Sequence, residues 1–274
     1  MAFLFSKAYS ENVILAQPQS NSTLTGNRES SDVSIKEINF GDPVLDLIYT
    51  TLLVPFFSAN NRDTRQAIHT YLSQNEANRT KKIKFHVVAA MINAVPIATT
   101  IFAFFGADKF CMMSGHYTAV LPKSRGQHLA TRLDRCRREI ATITAKEFGY
   151  DALDLSIITV PVPNKHINAT GSTHSRAVLN TERIWRHLGY RRLDFPLIQV
   201  PLADNKKPTN HSLWIKRHSQ RYLERDYLLR DEMDFIIEAN NYFRQSRTPL
   251  ASHPEYCLMR DFLHRHLRMR LLSE

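Results

Sequence analysis

Apolar residues recur along the chain in two periods, one typical of strands and the other typical of helices. Alternation, or a short uncharged run rich in β-branched and aromatic residues, predicts strands. The segments with this character are 32–38, 83–90, 97–105, 111–121, 153–160, 192–198 and 212–216. Val87–Phe105 carries no charge over 19 residues, about the length of a membrane span. Asn93 and Pro96 interrupt it, so we expect a β-hairpin and no membrane association.

Apolar residues spaced three or four apart predict helices, first near Pro43 and Asp63. Further helices are predicted at about 129–148, 175–188, 221–244 and 254–271. The clearest one follows the strand that ends at Leu121. Its apolar stripe consists of Leu129, Leu133, Cys136, Ile140, Ile143 and Phe148. Arg135, Arg137, Arg138 and Glu139 fall outside that stripe, and Gly149 ends the helix.

The net charge of +10 is concentrated in the middle of the chain. Basic and acidic residues number 10 and 9 over residues 1–115, 15 and 8 over 116–215, and 11 and 9 over 216–274. An excess in one segment favours an anionic ligand bound there over a basic arm for nucleic acid. A solvated basic surface remains the alternative interpretation.

The cysteines and the N-terminal residues indicate the cellular compartment of the protein. The three cysteines are widely spaced and form neither a disulfide framework nor a metal cluster, so we expect a cytoplasmic protein without a metal. The apolar patch Ala2–Phe5 is too short for a signal peptide. Residues 1–32, rich in Ser, Asn and Gln, predict a disordered extension.

The most informative segment is Val120–Ala130, where an apolar strand end leads through a short loop into the long helix. The start of a helix presents backbone N–H groups without intrahelical acceptors at the positive end of its dipole. Such a junction suits an anionic phosphate. The loop carries the pattern Arg-Gly-x-x-Leu-Ala, beginning at Arg125.

This segment resembles the acyl-CoA-binding turn of the GNAT superfamily of N-acyltransferases, whose pattern is Arg/Gln-x-x-Gly-x-Gly/Ala. Arg125 and Ala130 match its ends, while His128 stands where the central glycine is expected. The resemblance implies that Val120 and Leu121 hold the pantetheine arm of acetyl-CoA or another acyl-CoA. It also implies a pyrophosphate site made by the turn, with the residues Arg125, Gly126, Gln127, His128, Leu129 and Ala130.

A second similarity lies at Ile184–Arg192, which is similar to the Tyr-x-x-Leu-Gly-Phe segment of the same superfamily. Leu188 and Gly189 match, and Tyr190 takes the aromatic position. Trp185 occupies the place of the tyrosine that protonates the departing thiolate in many members. Because an indole N–H cannot act as that acid, Tyr190, a water molecule or departure as the free thiolate must replace it.

The resemblance places the general base on the strand before the turn or on its neighbour. His116 on the first strand has a side chain that titrates in the range needed for a base, although a structural role is as plausible. Asp154 on the second alternates with two leucines, so it faces away from at least one of them. Both residues remain candidates.

The predicted order β-α-α-β-β-β-α-β-α-β-β is that of the GNAT fold, an α/β fold with a mixed sheet and flanking helices. The resemblance covers residues 33–217 and leaves residues 218–274 as a helical C-terminal extension that caps the domain or covers a substrate cleft. It identifies the chain as a divergent bacterial-type member.

The implied activity is transfer of an acyl group, acetyl being expected, from coenzyme A to an amine of a small molecule or protein. Two alternatives remain. His128 and Trp185 favour a catalytically weak or inactive acyl-CoA-binding regulatory module. The sequence pI of about 9.6 favours a nucleic-acid-binding protein, although the C-terminal helices are nearly balanced in charge.

Overall fold

The structure is a computed structural model that describes residues 33–59, 61–162, 173–199, 209–243 and 254–272. The predicted extension 1–32 lies outside these residues, as does most of the loops 161–171 and 200–211. The strands are β1 Ser34–Ile38, β2 Ile83–Ile92, β3 Val95–Gly106, β4 Cys111–Val120, β5 Leu155–Pro161, β6 Arg191–Arg192, β7 Leu197–Gln199, β8 Thr209–Arg217, β9 Tyr227–Leu229 and β10 Arg268–Arg270.

The helices lie between these strands, as the sequence predicts for the first part of the chain. They are α1 Val44–Ile48, α2 Val54–Phe56, α3 Arg65–Ser73, α4 Leu129–Glu147, α5 Thr173–His187, α6 Gln220–Leu223, α7 Arg230–Tyr242 and α8 Pro254–Arg265. A π-helical turn, Tyr49–Leu53, joins α1 to α2. The apolar run that resembles a membrane span forms the antiparallel β2–β3 hairpin, which confirms that prediction. Within the described part of the chain, no helix is long and apolar enough to cross a membrane.

One mixed sheet organises the molecule, with strand order β1-β2-β3-β4-β5-β8-β6 and with β7 also paired to β8. Its strand pairs are antiparallel except β4–β5, which is parallel. This parallel pairing covers only Met112–Gly115 against Leu155–Ile158. Beyond these residues, β4 and β5 have no ladder between them, and the sheet opens into a cleft at their carboxyl ends.

A β-bulge lies on β4 where the cleft begins. Phe102 of β3 pairs with Gly115, and Ile101 pairs with Tyr117, so His116 is the extra residue. Two consecutive side chains, those of His116 and Tyr117, therefore line the same cavity, whereas regular alternation would place them on opposite faces.

Helices cover both faces of the sheet. On one face, α1, α3, α7 and α8 contribute Leu45, Ile68, Ile236 and Leu263 to a single buried cluster with the sheet. On the other face, α4 packs against β2, β3 and β4, and the end of α5 packs against β5 and β8. The helices α7 and α8 of the C-terminal segment are thus part of the same hydrophobic core as the sheet.

The structure corrects four details predicted from the sequence. Ile143 belongs to the predicted apolar stripe of α4 but is 50% exposed, and Arg137 lies outside that stripe but is 1% exposed. The predicted helix 221–244 is interrupted by β9, because Tyr227–Leu229 pairs with β10. The predicted helix 254–271 ends at Arg265, because Arg268–Arg270 forms β10. The predicted strand 192–198 is divided into β6 and β7.

Arg137 is buried because a network of polar groups surrounds it. Its guanidinium donates two hydrogen bonds to Asp134 Oδ1, at 3.1 and 2.7 Å, and one to the hydroxyl of Tyr190 at 2.7 Å. Lys216 Nζ on β8 donates to Asp134 Oδ2 at 3.0 Å. Burial disfavours the carboxylate, but the charges of Arg137 and Lys216 outweigh it and keep the pKa of Asp134 below its usual value.

We expect Asp134→Asn to lower the free energy of unfolding by about 3 kcal/mol at pH 7, because it leaves Arg137 buried without a counter-charge. Urea unfolding measures the change, and Asp151→Asn, at an exposed position, serves as the control. The folded pKa of Asp134 is depressed, so its contribution is present above the unfolded pKa of about 3.9 and is lost as the pH falls below it. A variant as stable as wild type at pH 7 would contradict this role.

Candidate active site

The turn between β4 and α4 keeps a backbone conformation that glycine normally adopts. Leu121 N–H donates to the Ile97 carbonyl at 2.9 Å, which extends the pairing with β3 past the end of β4. Gly126 has φ +80°. His128, in the expected glycine position, is left-handed, with φ 55° and ψ 21°, and it immediately precedes α4. The substitution therefore changes the side chain and leaves the left-handed turn in place.

The turn has the features of an anion site. Arg132 N–H donates to the His128 carbonyl at 3.0 Å as the first bond of α4, so the amides of 128–131 have no acceptor within the helix. The N-cap residue supplies no side-chain cap, and the first turn contains no acidic residue. The side chains of Lys123, Arg125, Gln127 and His128 are exposed. Leu129 is buried and Ala130 half-buried, so these two contribute backbone only. These groups fit the phosphates of coenzyme A.

The cleft between β4 and β5 offers two open strand edges. On β4, residues 117–120 pair with β3 on one side but have no partner in β5 on the other. On β5, residues 159–161 pair with β8 alone. An extended molecule with amide groups can bind such an edge as an added strand would. This is the place expected for Val120 and Leu121 to contact pantetheine.

A cavity of about 480 Å³ lies at this cleft. Ser114, His116 and Tyr117 of β4 and Thr159 of β5 form its sheet side. The segment after α2 and the end of α7 form two walls, and Thr181 reaches it from α5, which packs on the opposite face of the sheet. The cavity therefore extends through the gap between the two strands.

The structure places the three candidate catalytic residues in different surroundings. His116 lines the cavity, half-buried, with ring centroids 5.8 Å from Phe85 and 5.5 Å from Phe243. Asp154 precedes β5 at the other end of the β4–β5 pair. Its carboxylate accepts hydrogen bonds from the Cys111 N–H, at 3.0 Å, and from Arg221, at 2.6 and 3.1 Å. His116 and Asp154 are not brought together.

Tyr190 is completely buried in the network around Arg137, and burial raises the pKa of its hydroxyl. The Trp185 ring lies over the Arg137 guanidinium, 5.0 Å from its centre, and meets Tyr190 edge-on at 5.4 Å. Tryptophan at this position thus packs on a buried cation.

Sequence analysis did not identify several residues of the cavity: Asp63, Tyr117, His211, Asn240 and Phe243. Asp63 Oδ2 accepts a hydrogen bond from the Tyr117 hydroxyl at 2.7 Å, and the Asp63 N–H donates to the Tyr117 hydroxyl oxygen at 2.9 Å. These two residues are 54 positions apart, and no local pattern signals their contact. The bulge at His116 is the feature that the sequence does not reveal. It turns the side chains of His116 and Tyr117 to the same side of the sheet.

The strand order, the two flanking layers and the open cleft next to the turn define an α/β fold with one mixed sheet, as the sequence predicts. No protein-family profile matches the chain, and no curated protein matches it by sequence. Solved structures do match it. A Bacteroides thetaiotaomicron protein assigned as an acetyltransferase of the GNAT family has a TM-score of 0.49 and 12% identity, with 76% of this chain and 95% of that chain covered.

Two further solved structures have a comparable likeness. An assigned acetyltransferase from Staphylococcus epidermidis has a TM-score of 0.46 and 13% identity, covering 69% of this chain and 100% of its own. An assigned acetyltransferase from Salmonella typhimurium, solved with its cofactor acetyl-CoA, has a TM-score of 0.41 and 14% identity, covering 69% and 96%.

The left-handed conformation of residue 128 can be tested by stability. His128→Val should lower the free energy of unfolding by about 1 to 2 kcal/mol, because a β-branched residue is strained at positive φ. His128→Gly should change it by less than about 0.5 kcal/mol, because relief of strain offsets the added chain entropy. Arg135→Gly, at an exposed position inside α4, is the control and should cost about 1 kcal/mol. Equal losses for both glycine variants would argue against strain at His128.

Proposed function

We propose that this chain transfers an acyl group, with acetyl the expected one, from a coenzyme A thioester to the amine of a second substrate. The observation that carries the proposal is one continuous path. The amide-rich turn before α4 leads along the open edge of β4 to a cavity that is lined, on the same strand, by the imidazole of His116. The proposed sites for the phosphates, for the extended pantetheine arm and for proton transfer thus lie one after another along β4 and the turn that follows it.

In this proposal the exposed amides and basic side chains of 125–130 hold the phosphates, and the free edge of β4 orients the pantetheine amides. The amine nitrogen attacks the thioester carbonyl carbon, a C–N bond forms, and the C–S bond breaks. His116 takes the proton that the amine loses. The thiol leaves as thiolate, which costs little near neutral pH because a thiol pKa is about 8.5.

This mechanism selects among the candidate residues. We assign the base to His116, since it alone of the three lines the cavity. Tyr190 becomes a positioning residue, since its hydroxyl accepts from Arg137 and donates towards Asp134. Asp154 orders the junction between β5 and α6. We place the activity in the cytoplasm, because the three cysteines of the sequence are widely spaced and form no disulfide framework.

Arg125→Glu should abolish stabilisation by acetyl-CoA. Wild type should unfold at a higher temperature with acetyl-CoA than without it, and the charge reversal should remove most of that rise. Lys109→Glu is the matched control, because Lys109 is exposed just before β4, at the opposite end of the strand from the turn. The absence of any shift in wild type would overturn the proposal. Equal loss in both variants would indicate a non-specific effect of charge.

His116→Gln should lower kcat about 10²- to 10⁴-fold while leaving the acetyl-CoA thermal shift unchanged. Release of coenzyme A thiol with a panel of amines measures the rate. His69→Gln, at a histidine paired with Asp46 away from the cavity, should retain full activity. Saturable acetyl-CoA binding without thiol release for any amine would favour the regulatory module instead.

A further inference from the structure

Three cations surround one carboxylate beneath the cleft. Asp134 Oδ1 lies 2.7 Å from Arg137 Nη2, and Asp134 Oδ2 lies 3.0 Å from Lys216 Nζ and 3.4 Å from Arg138 Nε. Among the residues that the structure describes, no second carboxylate forms an ion pair with any of these cations. The Arg137 cluster, which we define as Arg137, Arg138, Lys216 and Asp134, therefore has more positive than negative charge.

The neighbouring His218 reports the sign of this charge. Its Nε2 lies 2.7 Å from Ser156 Oγ. Burial, together with the charges of Arg138 and Lys216, lowers the pKa of this imidazole to about 4. Burial also lowers the pKa of Lys216, and the neighbouring Asp134 limits that decrease. At neutral pH, His218 is therefore uncharged and the Arg137 cluster keeps its excess of two positive charges.

The Arg137 cluster lies directly behind the cavity. Gly115 lines the cavity, and a Cβ atom at this glycine would lie 3.0 Å from Arg137 Nη1. Because glycine has no side chain, only backbone separates the guanidinium from the cavity at this residue. His116, the proposed base, is the next residue of β4. A negative charge that forms beside His116 is therefore close to the cluster.

Solvent screens the Arg137 cluster only weakly. The guanidinium of Arg137 is covered by the rings of Trp185 and Tyr190, whose centres lie 5.0 and 5.7 Å from it. Lys216 is mostly buried, and Arg138 is partly exposed. Charges that water does not reach act over longer distances than exposed charges do. Two excess charges at about 10 Å, partly screened, change an ionisation equilibrium by about tenfold.

We propose that the Arg137 cluster stabilises the thiolate of coenzyme A when the C–S bond of the thioester breaks. The electron pair of that bond goes to sulfur, and no proton donor is required because the cluster favours the anion. Trp185, which cannot donate that proton, contributes by covering Arg137. The cluster acts through its electric field and does not touch the substrate. This inference rests on the proposed function, which places the thioester beside His116.

The pH dependence of coenzyme A binding tests this inference. Desulfo-coenzyme A, in which hydrogen replaces the thiol, is the matched probe because it retains every other group. Calorimetry with the full chain measures both dissociation constants without turnover. A site that favours the thiolate lowers the pKa of the bound thiol below about 8.5, so the affinity for coenzyme A relative to the desulfo analogue rises with pH.

The size of this rise is set by the pKa of the bound thiol. If that pKa is about 7.5, the relative affinity should rise about eightfold between about pH 6 and about pH 9. The gain is absent below the bound pKa and complete above the pKa of the free thiol. A relative affinity that does not change with pH would overturn the proposal.

Variants that remove one charge assign the effect to the Arg137 cluster. Lys216→Met should reduce the rise to about threefold, because it removes half of the excess charge. Arg138→Gln should also reduce the rise, and it decides the question if Lys216→Met does not fold. Arg135→Gln, at an exposed cation of α4, is the control and should retain the wild-type rise. A wild-type rise in both cluster variants would refute the assignment.

The comparison of the two probes excludes a merely structural role. Equal weakening of both probes at every pH, with the wild-type rise in their ratio retained, would indicate such a role and refute the proposal. The other titratable groups of the cavity, Asp63, His116 and His211, are the same in all these proteins and cancel in the comparison.

The same measurements separate this inference from the proposed function. If neither coenzyme A nor its desulfo analogue binds, the proposed function fails and this inference fails with it. If both bind and their ratio does not change with pH, coenzyme A binding stands and only the stabilisation of the thiolate is refuted.

Discussion

The structure depends on the point at which β4 and β5 stop pairing. Their parallel ladder ends at Gly115 and Ile158, and both the turn and the cavity lie beyond it. Gly115 leaves little room for a side chain there. A Cβ atom would lie 3.0 Å from Arg137 Nη1 and 3.0 Å from Ile158 Cγ2. The buried Arg137 is thus packed directly against the point of divergence. Lys216 of β8, which donates to Asp134, ties α4 to the sheet.

The divergence and the bulge together give β4 two functions. Its open edge faces the gap, while the extra residue directs the side chains of His116 and Tyr117 into one cavity. Tyr117 then connects the strand to Asp63 on the opposite wall. In the proposed enzyme, the donor and the acceptor are therefore positioned by adjacent residues of one strand, which limits how far either can move relative to the other.

The periodicity of the sequence predicted most strands, the hairpin and the long helix, because those elements bury regular apolar stripes. It could not place Arg137, since a cation is expected outside a stripe unless a partner is known, and Lys216 and Tyr190 lie far along the chain. Nor could it find the bulge or Asp63, whose meaning depends on a contact across 54 residues. The turn was predictable because its residues are consecutive, whereas the cavity combines segments from the whole chain.

The two departures from the GNAT pattern have different physical consequences. His128 retains the left-handed conformation, which costs about 1 to 2 kcal/mol of strain. The pairing of β4 with β3 and the packing of α4 offset this strain. The first backbone amides of α4 keep no acceptor within the helix. Trp185 cannot act as the acid that a tyrosine supplies at this position of the pattern. Its ring packs on the guanidinium of Arg137. Since a thiolate leaves readily near neutral pH, loss of that acid costs less than loss of the base would. In the proposed enzyme, catalytic competence is therefore decided on the cavity side of the sheet, where His116 lies, more than by the two substituted landmark positions.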